Sequence, residues 1–411
     1  MSQHEQTPKI IGPVIAPSIS IVIALALALT GCVGEETTEI ASFPETKSEC
    51  LATALPNSYV VHWKDGSVSV ARGYTRDDFE KEIFEPNKDD IRLAEQDQRV
   101  QIQPYALTPT ATENASNTWG LAAIGAEQAW AAGAYGEGVT VAVVDSGVDI
   151  THPQLKGRIA INDKEVPGND IDDDDNGYVD DVNGWDFDRD TNEVGDSAGH
   201  GTHVAGIIAA EHDKGEAKGL APKAKILPLD FMNSEGSGAI GDAILALQYA
   251  ADRGARVINA SWGGAPCSQT LARTISDLAA KNIVFVAAAG NSGVNLDEIP
   301  EYPAAFTGPT QITVGASTAR GYTAAFSNFS YHYVHLFAPG AQIFSTWPGG
   351  RTASLSGTSM AAPFVSAAAA LLIGKNPSLT AQQVRTALFK HVDPGNFAAS
   401  TQGRLNVPNA L

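Results

Sequence analysis

The chain has few cysteines, few positive charges and few long apolar runs. Its 411 residues include 3 Cys, and 27 Lys+Arg stand against 47 Asp+Glu, a formal net charge of −20. So few basic residues argue against a nucleic-acid partner, because binding to phosphates needs a basic surface. The one long apolar run, residues 19–29, is shorter than the roughly 20 residues that a membrane-spanning helix needs. The hydrophobic content of 43% is ordinary for a globular protein with a sizeable core.

The apolar run near the N-terminus has the length of the core of a signal peptide. It is followed by Leu29-Thr30-Gly31-Cys32, which resembles the bacterial lipobox, in which the cysteine is lipidated and becomes the new N-terminus. We therefore predict a signal peptide over residues 1–31, lipidation of Cys32 and export to the bacterial cell envelope. The alternative is an ordinary signal peptide followed by a cysteine by chance. Of the other cysteines, Cys50 and Cys267 lie on segments that we expect cleavage to separate, so no structural disulfide is predicted.

The composition of the chain changes several times after the signal segment. Residues 32–57 are acidic and rich in Thr and Ser over much of their length, which predicts a tether. A small α+β unit is predicted over residues 58–105. It comprises two strand patterns, 58–62 and 99–103, with a charged helical stretch, 76–84, between them. A polar stretch, 106–118, is predicted to be a linker.

From residue 119 to 411 apolar strands alternate with helices. This pattern predicts a mainly parallel sheet covered by helices on both faces. The predicted fold class is therefore α/β, a doubly wound, mainly parallel sheet preceded by a small α+β domain. The predicted strands are 139–144, 224–229, 256–260, 283–289 and 311–315, and the predicted helices are 238–253, 268–281, 364–373 and 380–391.

Three segments stand where the active cleft of an open α/β sheet forms, at strand ends and helix starts. Asp145 ends a predicted strand, where an acid also serves as a helix cap or turn residue. His200 and His203 open a small-residue helix, either as two metal ligands or as a general base beside a packed structural histidine. Ser359 begins another helix, either as its N-cap or as a nucleophile in the field of the helix dipole. Taken singly, these segments leave each alternative open.

Taken together, the three segments resemble the D-[ST]-G, H-G-T-H-V-A-G and G-T-S-M-A-x-P blocks of the subtilase family, in that family's chain order. The resemblance covers roughly residues 119–411 and implies a subtilisin-like peptidase domain. It also implies a secreted serine endopeptidase that hydrolyses peptide bonds through an acyl-enzyme, with Asp145, His200 and Ser359 as its triad. His203 is then the structural histidine.

The resemblance extends to the oxyanion hole and the substrate cleft. Asn291, in Ala287–Gly293, matches the family's side-chain donor to the oxyanion. Residues 259–264 resemble the strand that pairs with an extended substrate. Residues 288–290 resemble the opposite wall of the cleft. The residues predicted to contact substrate in these two segments are Ser261, Trp262, Gly263, Ala288 and Gly290.

Glu301 stands directly before Tyr302-Pro303, where the family places a residue near the base of its main specificity pocket. A carboxylate there predicts a preference for Lys or Arg before the scissile bond. The alternative is a loop charge exposed to solvent.

Residues 58–105 resemble a subtilase prosegment, which acts as an intramolecular chaperone and inhibitor. We expect its tail to run through the cleft and to be cut within residues 105–116, so that the chain is a self-processing zymogen. The lipid on Cys32 would then attach the prosegment to the membrane, and maturation would release the enzyme. The expected partners are polypeptide substrates and the chain's own prosegment, and the mature enzyme is expected to be a monomer.

An acidic insertion, residues 170–181, precedes the His200 block. Its carboxylates and amides have the spacing of an EF-hand-like calcium loop, and so many carboxylates in one loop repel each other unless a cation lies among them. We predict a structural Ca²⁺ here, and the alternative is a solvated acidic loop without a metal. The predicted ligands are the side chains of Asp172, Asp174, Asn176 and Asp180 and the backbone carbonyl of Tyr178.

Two rival classes and one departure from the family pattern complete the predictions. The rivals are an inert, lipid-anchored binding protein on a protease fold, and a metallohydrolase that uses His200 and His203. After Pro363 the family commonly has His-Val-Ala-Gly, whereas this chain reads Phe364-Val365-Ser366-Ala367. We therefore expect different packing on the helix beyond the nucleophile.

Overall fold

The computed structural model describes residues 9–12, 54–102, 106–108, 118–264 and 268–411, with only the backbone for 106–108. The predicted signal peptide, apart from residues 9–12, lies outside the described residues. The same holds for the lipidated cysteine, most of the tether and most of the linker. Cys32, Cys50 and Cys267 are all outside them.

The strands and helices alternate along most of the chain. The strands are β1 (Lys9–Ile11), β2 (Ala54–Trp63), β3 (Val68–Arg72), β4 (Ile91–Gln101), β5 (Ala106–Thr108), β6 (Thr140–Asp145), β7 (Trp185–Asp186), β8 (Lys225–Asp230), β9 (Ser237–Ala239), β10 (Val257–Ala260), β11 (Val284–Ala288), β12 (Gln311–Ser317), β13 (Leu336–Pro339), β14 (Ile343–Trp347), β15 (Arg351–Ser356), β16 (Asp393–Pro394) and β17 (Gly403–Arg404). The helices are α1 (Arg76–Phe79), α2 (Glu85–Asn87), α3 (Trp119–Ala123), α4 (Ala126–Ala131), α5 (His200–Ala209), α6 (Ile240–Asp252), α7 (Gln269–Ala280), α8 (Thr358–Lys375), α9 (Ala381–Lys390) and α10 (Val407–Ala410), with a π-helical turn, Glu80–Phe84, between α1 and α2.

The centre of the structure is a sheet with the strand order β16-β17-β13-β12-β11-β10-β6-β8-β7. All neighbours are parallel except the short pair β16 and β17. Helices α5, α8 and α9 cover one face, and α6 and α7 cover the other. Strand β6 is apolar on both sides because Val141 and Val143 enter one core while Ala142 and Val144 enter the other. The predicted fold class is confirmed.

A small unit of α+β structure precedes this sheet. Its strands have the order β1-β3-β2-β4-β9, so β9 joins it to the large unit. One face of the small sheet carries α1 and α2, with Tyr59 stacked on Phe79 at a ring distance of 4.2 Å. The opposite face, including Val60 and Val70, packs on α6 in the core that this helix shares with the large sheet. The small unit therefore lies directly on α6, and its strand β4 also contacts α7.

Helix α8 runs through the middle of the large unit. Among the described residues it alone has the length and apolar composition to cross a membrane, and 89% of it is buried inside the structure. It packs against α5 and against strands β10, β11 and β12. As a result, the first turns of α5 and α8 lie together at the carboxyl ends of the central strands.

Candidate active site

Asp145 and His200 form a buried hydrogen-bonded pair. Asp145 is the last residue of β6 and His200 the first residue of α5, and both are 0% exposed. Nδ1 of His200 lies 2.7 Å from Oδ1 of Asp145. Because an ionised carboxylate only accepts hydrogen bonds, Nδ1 carries the proton, and the basic nitrogen of the neutral ring is Nε2. The next residue must be glycine, since a Cβ on Gly201 would lie 2.0 Å from the carbonyl oxygen of Gly147.

Asp196 positions the start of α5 and was not predicted from the sequence. Its carboxylate accepts hydrogen bonds from the backbone N–H groups of Gly199 (2.6 Å) and Thr202 (2.8 Å) and from the hydroxyl of Ser146 (3.0 Å). Burial raises the pKa of Asp196 to about 6. An acid a few residues before a helix start is a general N-terminal signal, so nothing in the sequence marked this one as part of a site.

Ser359 is the second residue of α8 and is 1% exposed. The N-cap of α8 is Gly357, which has no side chain, so the interpretation of Ser359 as a helix cap is wrong. The Ser359 hydroxyl donates to the backbone carbonyl of Ser261 at 3.0 Å. In return, the Ser261 hydroxyl donates to the backbone carbonyl of Ser359 at 2.9 Å. Ser359 is thus held at a helix N-terminus, whose partial positive charge favours negative charge on its oxygen.

Asn291 lies beside the start of α8. Its Oδ1 accepts hydrogen bonds from the backbone N–H and the hydroxyl of Thr358, both at 2.8 Å. With the oxygen held on that side, Nδ2 is the donor end of the amide on the other side. Thr358 was not predicted, and its hydroxyl also accepts from the backbone N–H of Gly290 at 3.1 Å.

The segment after β10 divides its residues between the cleft and the core. The side chain of Trp262 is 1% exposed, and its indole N–H donates to the carbonyl of Val144 at 2.9 Å. The prediction that Trp262 contacts substrate is therefore corrected for its side chain, because a large apolar ring gains more from burial than from the cleft surface. Gly263, in contrast, presents its backbone as an antiparallel partner to Gln101.

Glu301 lies against the opposite wall of the cleft. Its carboxylate accepts hydrogen bonds from the Ser292 hydroxyl (2.7 Å) and from Nδ2 of Asn328 (2.9 Å). Gly290 has a φ of +103°, and a Cβ there would lie 2.3 Å from Oε2 of Glu301. Glu301 is partly buried next to Gly290, so its carboxylate is not a fully exposed loop charge.

A stretch of the chain itself occupies the cleft. Strand β4 pairs with β9 through residues 99–101, and on its other edge Gln101 pairs with Gly263. The N–H of Ile102 then donates to the carbonyl of Gly236 at 2.7 Å. Beyond three residues that are not described, β5 pairs antiparallel with β15, whose Ser356 stands three residues before Ser359. The small unit therefore extends into the cleft as an added strand on both sides of the candidate nucleophile.

His203 is a structural residue and not a metal ligand in this arrangement. Its Nε2 lies 3.1 Å from the carbonyl oxygens of both Ile343 and Ala353, which ties the β14–β15 hairpin to α5. Burial lowers the pKa of His203 to about 3, so the ring is neutral at ordinary pH. Within the part of the chain that the structure describes, the only group of three or more potential metal-binding side chains lies elsewhere.

That group comprises Glu165, Asp172 and Asp174, with one oxygen of each within 4.8 Å of the others. Oε2 of Glu165 and Oδ1 of Asp174 are buried and accept no hydrogen bond from the described residues. Buried carboxylate oxygens without donors are costly unless a cation satisfies them. Hard oxygen ligands of this kind suit Ca²⁺, so the residues fit the predicted ion. Glu165 was not predicted as a ligand because it lies before the acidic run in the sequence. The loop folds back and brings the acidic run against it.

Of the five predicted ligands, Asp172 and Asp174 belong to this cluster, and the carboxylate of Asp180 does not. Asp180 accepts three hydrogen bonds from the backbone of residues 168–170 and so faces away from the cluster. Asn176 uses its amide to bond the N–H of Tyr178 and the carboxylate of Asp181. Tyr178, predicted to offer its backbone carbonyl, packs its ring among Trp185, Phe187 and Tyr249. The loop thus uses these residues to fix its own shape.

A doubly wound parallel sheet with a buried Asp–His pair, and with a serine at the start of a neighbouring helix, defines the class of serine hydrolases on an open α/β sheet. A family model described as the subtilase family matches residues 136–405. The chain therefore belongs to the subtilase family, and the prediction of a serine-type, subtilisin-like endopeptidase is confirmed.

The relatives are peptidases by name. Thermitase of Thermoactinomyces vulgaris is 35% identical over 307 residues, which span 74% of this chain and 99% of thermitase. Subtilisin BL of Lederbergia lenta is 36% identical, over 66% of this chain and 89% of its own. The cell wall-associated protease of Bacillus subtilis is 39% identical over 64% of this chain but only 26% of its own length. A solved structure of a cold-adapted subtilisin-like serine proteinase aligns with a TM-score of 0.54 and 31% identity, over 66% of this chain and 88% of that one.

Proposed function

We propose that this chain is the exported precursor of a serine endopeptidase that cuts its own prosegment away. The observation that carries the proposal is the strand in the cleft. Residues 99–102 and 106–108 are paired with the cleft walls on the two sides of Ser359, as an extended substrate would be. Backbone pairing of this kind accepts many side chains, which suits a peptidase that acts on extended polypeptides.

The proposed chemistry uses Asp145, His200 and Ser359. Ser359 Oγ attacks the scissile carbonyl while Nε2 of His200 takes its proton, and Asp145 holds the imidazole in the required tautomer. The Nδ1–Oδ1 distance of 2.7 Å supports that role for Asp145. Nδ2 of Asn291 and the backbone N–H of Ser359 stabilise the oxyanion. His200 then protonates the leaving amine, and water repeats the sequence to release the acyl group.

Labelling with a fluorophosphonate tests this chemistry. Wild-type protein is expected to mature and to carry one label at Ser359, insensitive to chelators. Ser359→Ala is expected to stay full-length and unlabelled. Maturation of Ser359→Ala in the absence of any added protease would refute self-processing, and an unlabelled, correctly processed wild type would favour an inert binding protein.

The contacts of residues 54–102 support the role of an inhibitor and folding template. Glu95 accepts hydrogen bonds from the N–H groups of Gln269 and Thr270, both at 3.1 Å, at the start of α7. Asp97 accepts from the N–H of Gly241, at 2.9 Å, at the start of α6. Each carboxylate thus caps the N-terminus of one helix of the large unit, where negative charge is stabilising. Arg72 adds an ion pair with Asp242 on α6.

The paired strands narrow the proposed maturation site. Ile102 is bound on one side of the cleft and Ala106 on the other, so the bond to be cut is one of the four that join them. This range overlaps only the beginning of the predicted segment 105–116. N-terminal sequencing of the first processed species is expected to find a start between residues 103 and 106. A first cut beyond Thr108 would contradict the proposed register.

Lipidation of Cys32 would leave the anchor on the prosegment side of that cut. We propose that the precursor is attached to the bacterial cell envelope and that maturation releases the peptidase, which acts as a monomer. Palmitate labelling of Ser359→Ala, with Cys32→Ser as control, is expected to mark only the chain that retains the cysteine. Mature enzyme that begins at Cys32 would exclude release.

Glu301 supports a preference for Lys or Arg before the scissile bond. The described residues give its carboxylate two neutral donors, Ser292 and Asn328, and no ion pair, so it can still attract a cation from the substrate. Peptides that differ only by Arg, Leu or Phe at this position are expected to favour Arg in the wild type and to lose that preference in Glu301→Gln. No gain for Arg over Leu in the wild type would refute this specificity.

We further propose a structural Ca²⁺ held by Glu165, Asp172 and Asp174. The ion would neutralise three clustered carboxylates and satisfy the two buried oxygens that accept no hydrogen bond from the described residues. The cluster lies in the inserted loop and not at the Asp145–His200 pair, so the ion would stabilise the fold and take no part in the reaction.

A further inference from the structure

Asn259 is a buried amide in the middle of the large sheet. It belongs to β10, between β6 and β11, and is 0% exposed. An amide at such a position is destabilising unless its polar atoms are hydrogen-bonded. Its Oδ1 lies 2.8 Å from Oγ of Ser366, and its Nδ2 lies 2.8 Å from Oγ of Ser261.

The direction of each hydrogen bond in this group follows from the next one. The Ser359 carbonyl can only accept, so the Ser261 hydroxyl donates to it at 2.9 Å. Having used its one proton, the Ser261 oxygen must accept from Asn259, which places Nδ2 on that side and Oδ1 on the other. Ser366 must therefore donate to Asn259. The chain of donors runs from Ser366 through Asn259 and Ser261 to the backbone of Ser359.

The Ser359 carbonyl needs this donor because of Pro363. In an α-helix the carbonyl of residue i accepts from the N–H of residue i+4, and Pro363 is four residues after Ser359 in α8 and has no N–H. The Ser261 hydroxyl supplies a hydrogen bond where the helix cannot. The first turn of α8, which carries the proposed nucleophile, is therefore stabilised from β10.

Ser366 lies at the far end of the chain of donors and is one of the three residues after Pro363 at which this protein departs from the family pattern. It is 0% exposed and lies seven residues after Ser359, two turns along the same side of α8. Its hydroxyl is 3.3 Å from the Ala362 carbonyl, its ordinary partner within a helix, but only 2.8 Å from Asn259. Where the family commonly has alanine, this chain has a hydroxyl that fixes the orientation of a buried amide.

We infer that Ser366 is a positioning residue of the peptidase site: its hydroxyl orients Asn259 so that Ser261 donates to the carbonyl of Ser359 and holds the nucleophile in place. The inference rests on the proposed function of Ser359. It predicts that loss of the hydroxyl slows the chemical step and leaves substrate binding unchanged, because Ser366 lies behind the nucleophile and is buried.

The test is steady-state kinetics of the mature enzyme with one peptide substrate. Ser366→Ala is expected to lower kcat about fivefold, the effect of losing one buried hydrogen bond, with KM unchanged. Ser366→Thr keeps the hydroxyl and is expected to restore most of kcat. Alanine is a good helix former and is the common family residue here, so the variant is expected to fold. Thr310→Val is the matched control, since it removes a buried hydroxyl that donates to Ile283 at 2.7 Å and kcat should not change.

Asn259→Asp supplies a second readout, its kcat relative to wild type as a function of pH. A protonated carboxyl can donate to Ser261 and an ionised one cannot, so the ratio is expected to fall as pH rises through the pKa of the new carboxyl. Of the elements around Asn259, β11 has no ionisable side chain, α8 has only Lys375 at its far end, and β6 has Asp145, the partner of His200. Each of these groups is present in both proteins, and the two proteins differ only at position 259.

The outcomes separate the inference from the function on which it rests. A wild type without peptidase activity would refute the proposed function. If the wild type is active, three results would refute only the positioning role. They are an unchanged kcat in Ser366→Ala, a change in its KM alone, and an equal fall of kcat in Thr310→Val. A ratio for Asn259→Asp that does not vary with pH would also refute it.

Discussion

Removal of calcium is expected to lower the melting temperature of the protein, because a bound ion stabilises the folded state by mass action. Glu165, Asp172 and Asp174 bring three carboxylate oxygens within 4.8 Å of one another. A ligand at 100 times its Kd stabilises the folded state by about 2.7 kcal/mol. Because the entropy of unfolding scales with length, each kcal/mol shifts Tm by about 1–2 °C for a chain of 411 residues, so Ca²⁺ in that excess should raise Tm by about 3–5 °C.

Neutralising one carboxylate of the cluster should change Tm in opposite directions with and without calcium. In calcium, Asp174→Asn loses a ligand and should melt below the wild type. In EGTA the same change removes one of three repelling charges, and Asp174→Asn should melt at or above the wild type. The ion pair of Asp174 with Lys164, at 3.4 Å, contributes little because the lysine is exposed.

Thermal melting of Ser359→Ala precursor measures this effect without self-digestion. The matched control is Asp175→Asn, which removes an exposed charge of the same loop. Asp175 has a φ of +55° that asparagine tolerates, and it is not part of the cluster. Equal Tm values in calcium and EGTA would refute the site. So would a loss in Asp175→Asn as large as that in Asp174→Asn.

Three further changes test other contacts. Asn291→Leu should lower kcat by about 10²–10³ with little change in KM, as measured for a donor of this kind in subtilisin itself; an unchanged kcat would exclude Asn291 from the oxyanion hole. Glu95→Gln in Ser359→Ala precursor should lower the free energy of unfolding in urea by about 1–2 kcal/mol, because the start of α7 loses a charged acceptor; an unchanged urea midpoint would count against the cap. Burial lowers the pKa of His203 in the folded state to about 3 from an ordinary 6.5, so its contribution to the free energy of unfolding is complete above pH 6.5. Up to about 5 kcal/mol of that contribution is lost as the pH falls toward 3. A urea midpoint that does not decrease when the pH is lowered from 7 to 4 would contradict this.

The central strands could be predicted closely from the sequence because they are buried on both faces. Residues 139–144 and 256–260 were predicted, and the strands run over Thr140–Asp145 and Val257–Ala260. An uninterrupted apolar run bounded by turn residues is a strong local signal for such strands. Helices α6 and α7 were likewise predicted to within two residues at each end.

Shorter and more polar strands were missed because their signal is tertiary. Strand β13 has four residues and ends in Pro339, and β15 reads Arg-Thr-Ala-Ser-Leu-Ser. The β14–β15 hairpin is stabilised by His203, whose ring bonds a carbonyl on each strand, from a segment more than a hundred residues away. No window of the sequence contains both partners, so propensity alone favours a loop.

The candidate site divides in the same way. Asp145, His200 and Ser359 stand in compact blocks whose residue types follow from the chemistry, so the sequence is sufficient to find them. Thr358 bonds Asn291 and Asp196 bonds the backbone of Gly199, so both act on neighbours of those residues, yet a threonine at a helix start and an acid before another are ordinary residues. Their roles depend on which backbone groups the fold brings to them.

The acidic loop shows why spacing alone misidentified its ligands. An EF-hand-like spacing assumes a single smooth turn, whereas this loop reverses direction at Asp170, Asp175 and Asp180, each with a φ between +54° and +58°. These reversals bring Glu165 into the cluster and turn Asp180 out of it.

Asp181 also fixes the loop against α6. It is buried and accepts hydrogen bonds from Tyr249 and Arg253, at the C-terminal end of that helix. The opposite end of α6 receives Asp97 from the small unit. A cation in the loop would therefore stabilise the helix on which the small unit rests, and it would not reach the cleft. For that reason chelation should lower Tm while leaving kcat unchanged at temperatures well below it, and a kcat that fell with EGTA at such temperatures would place the ion at the active site instead.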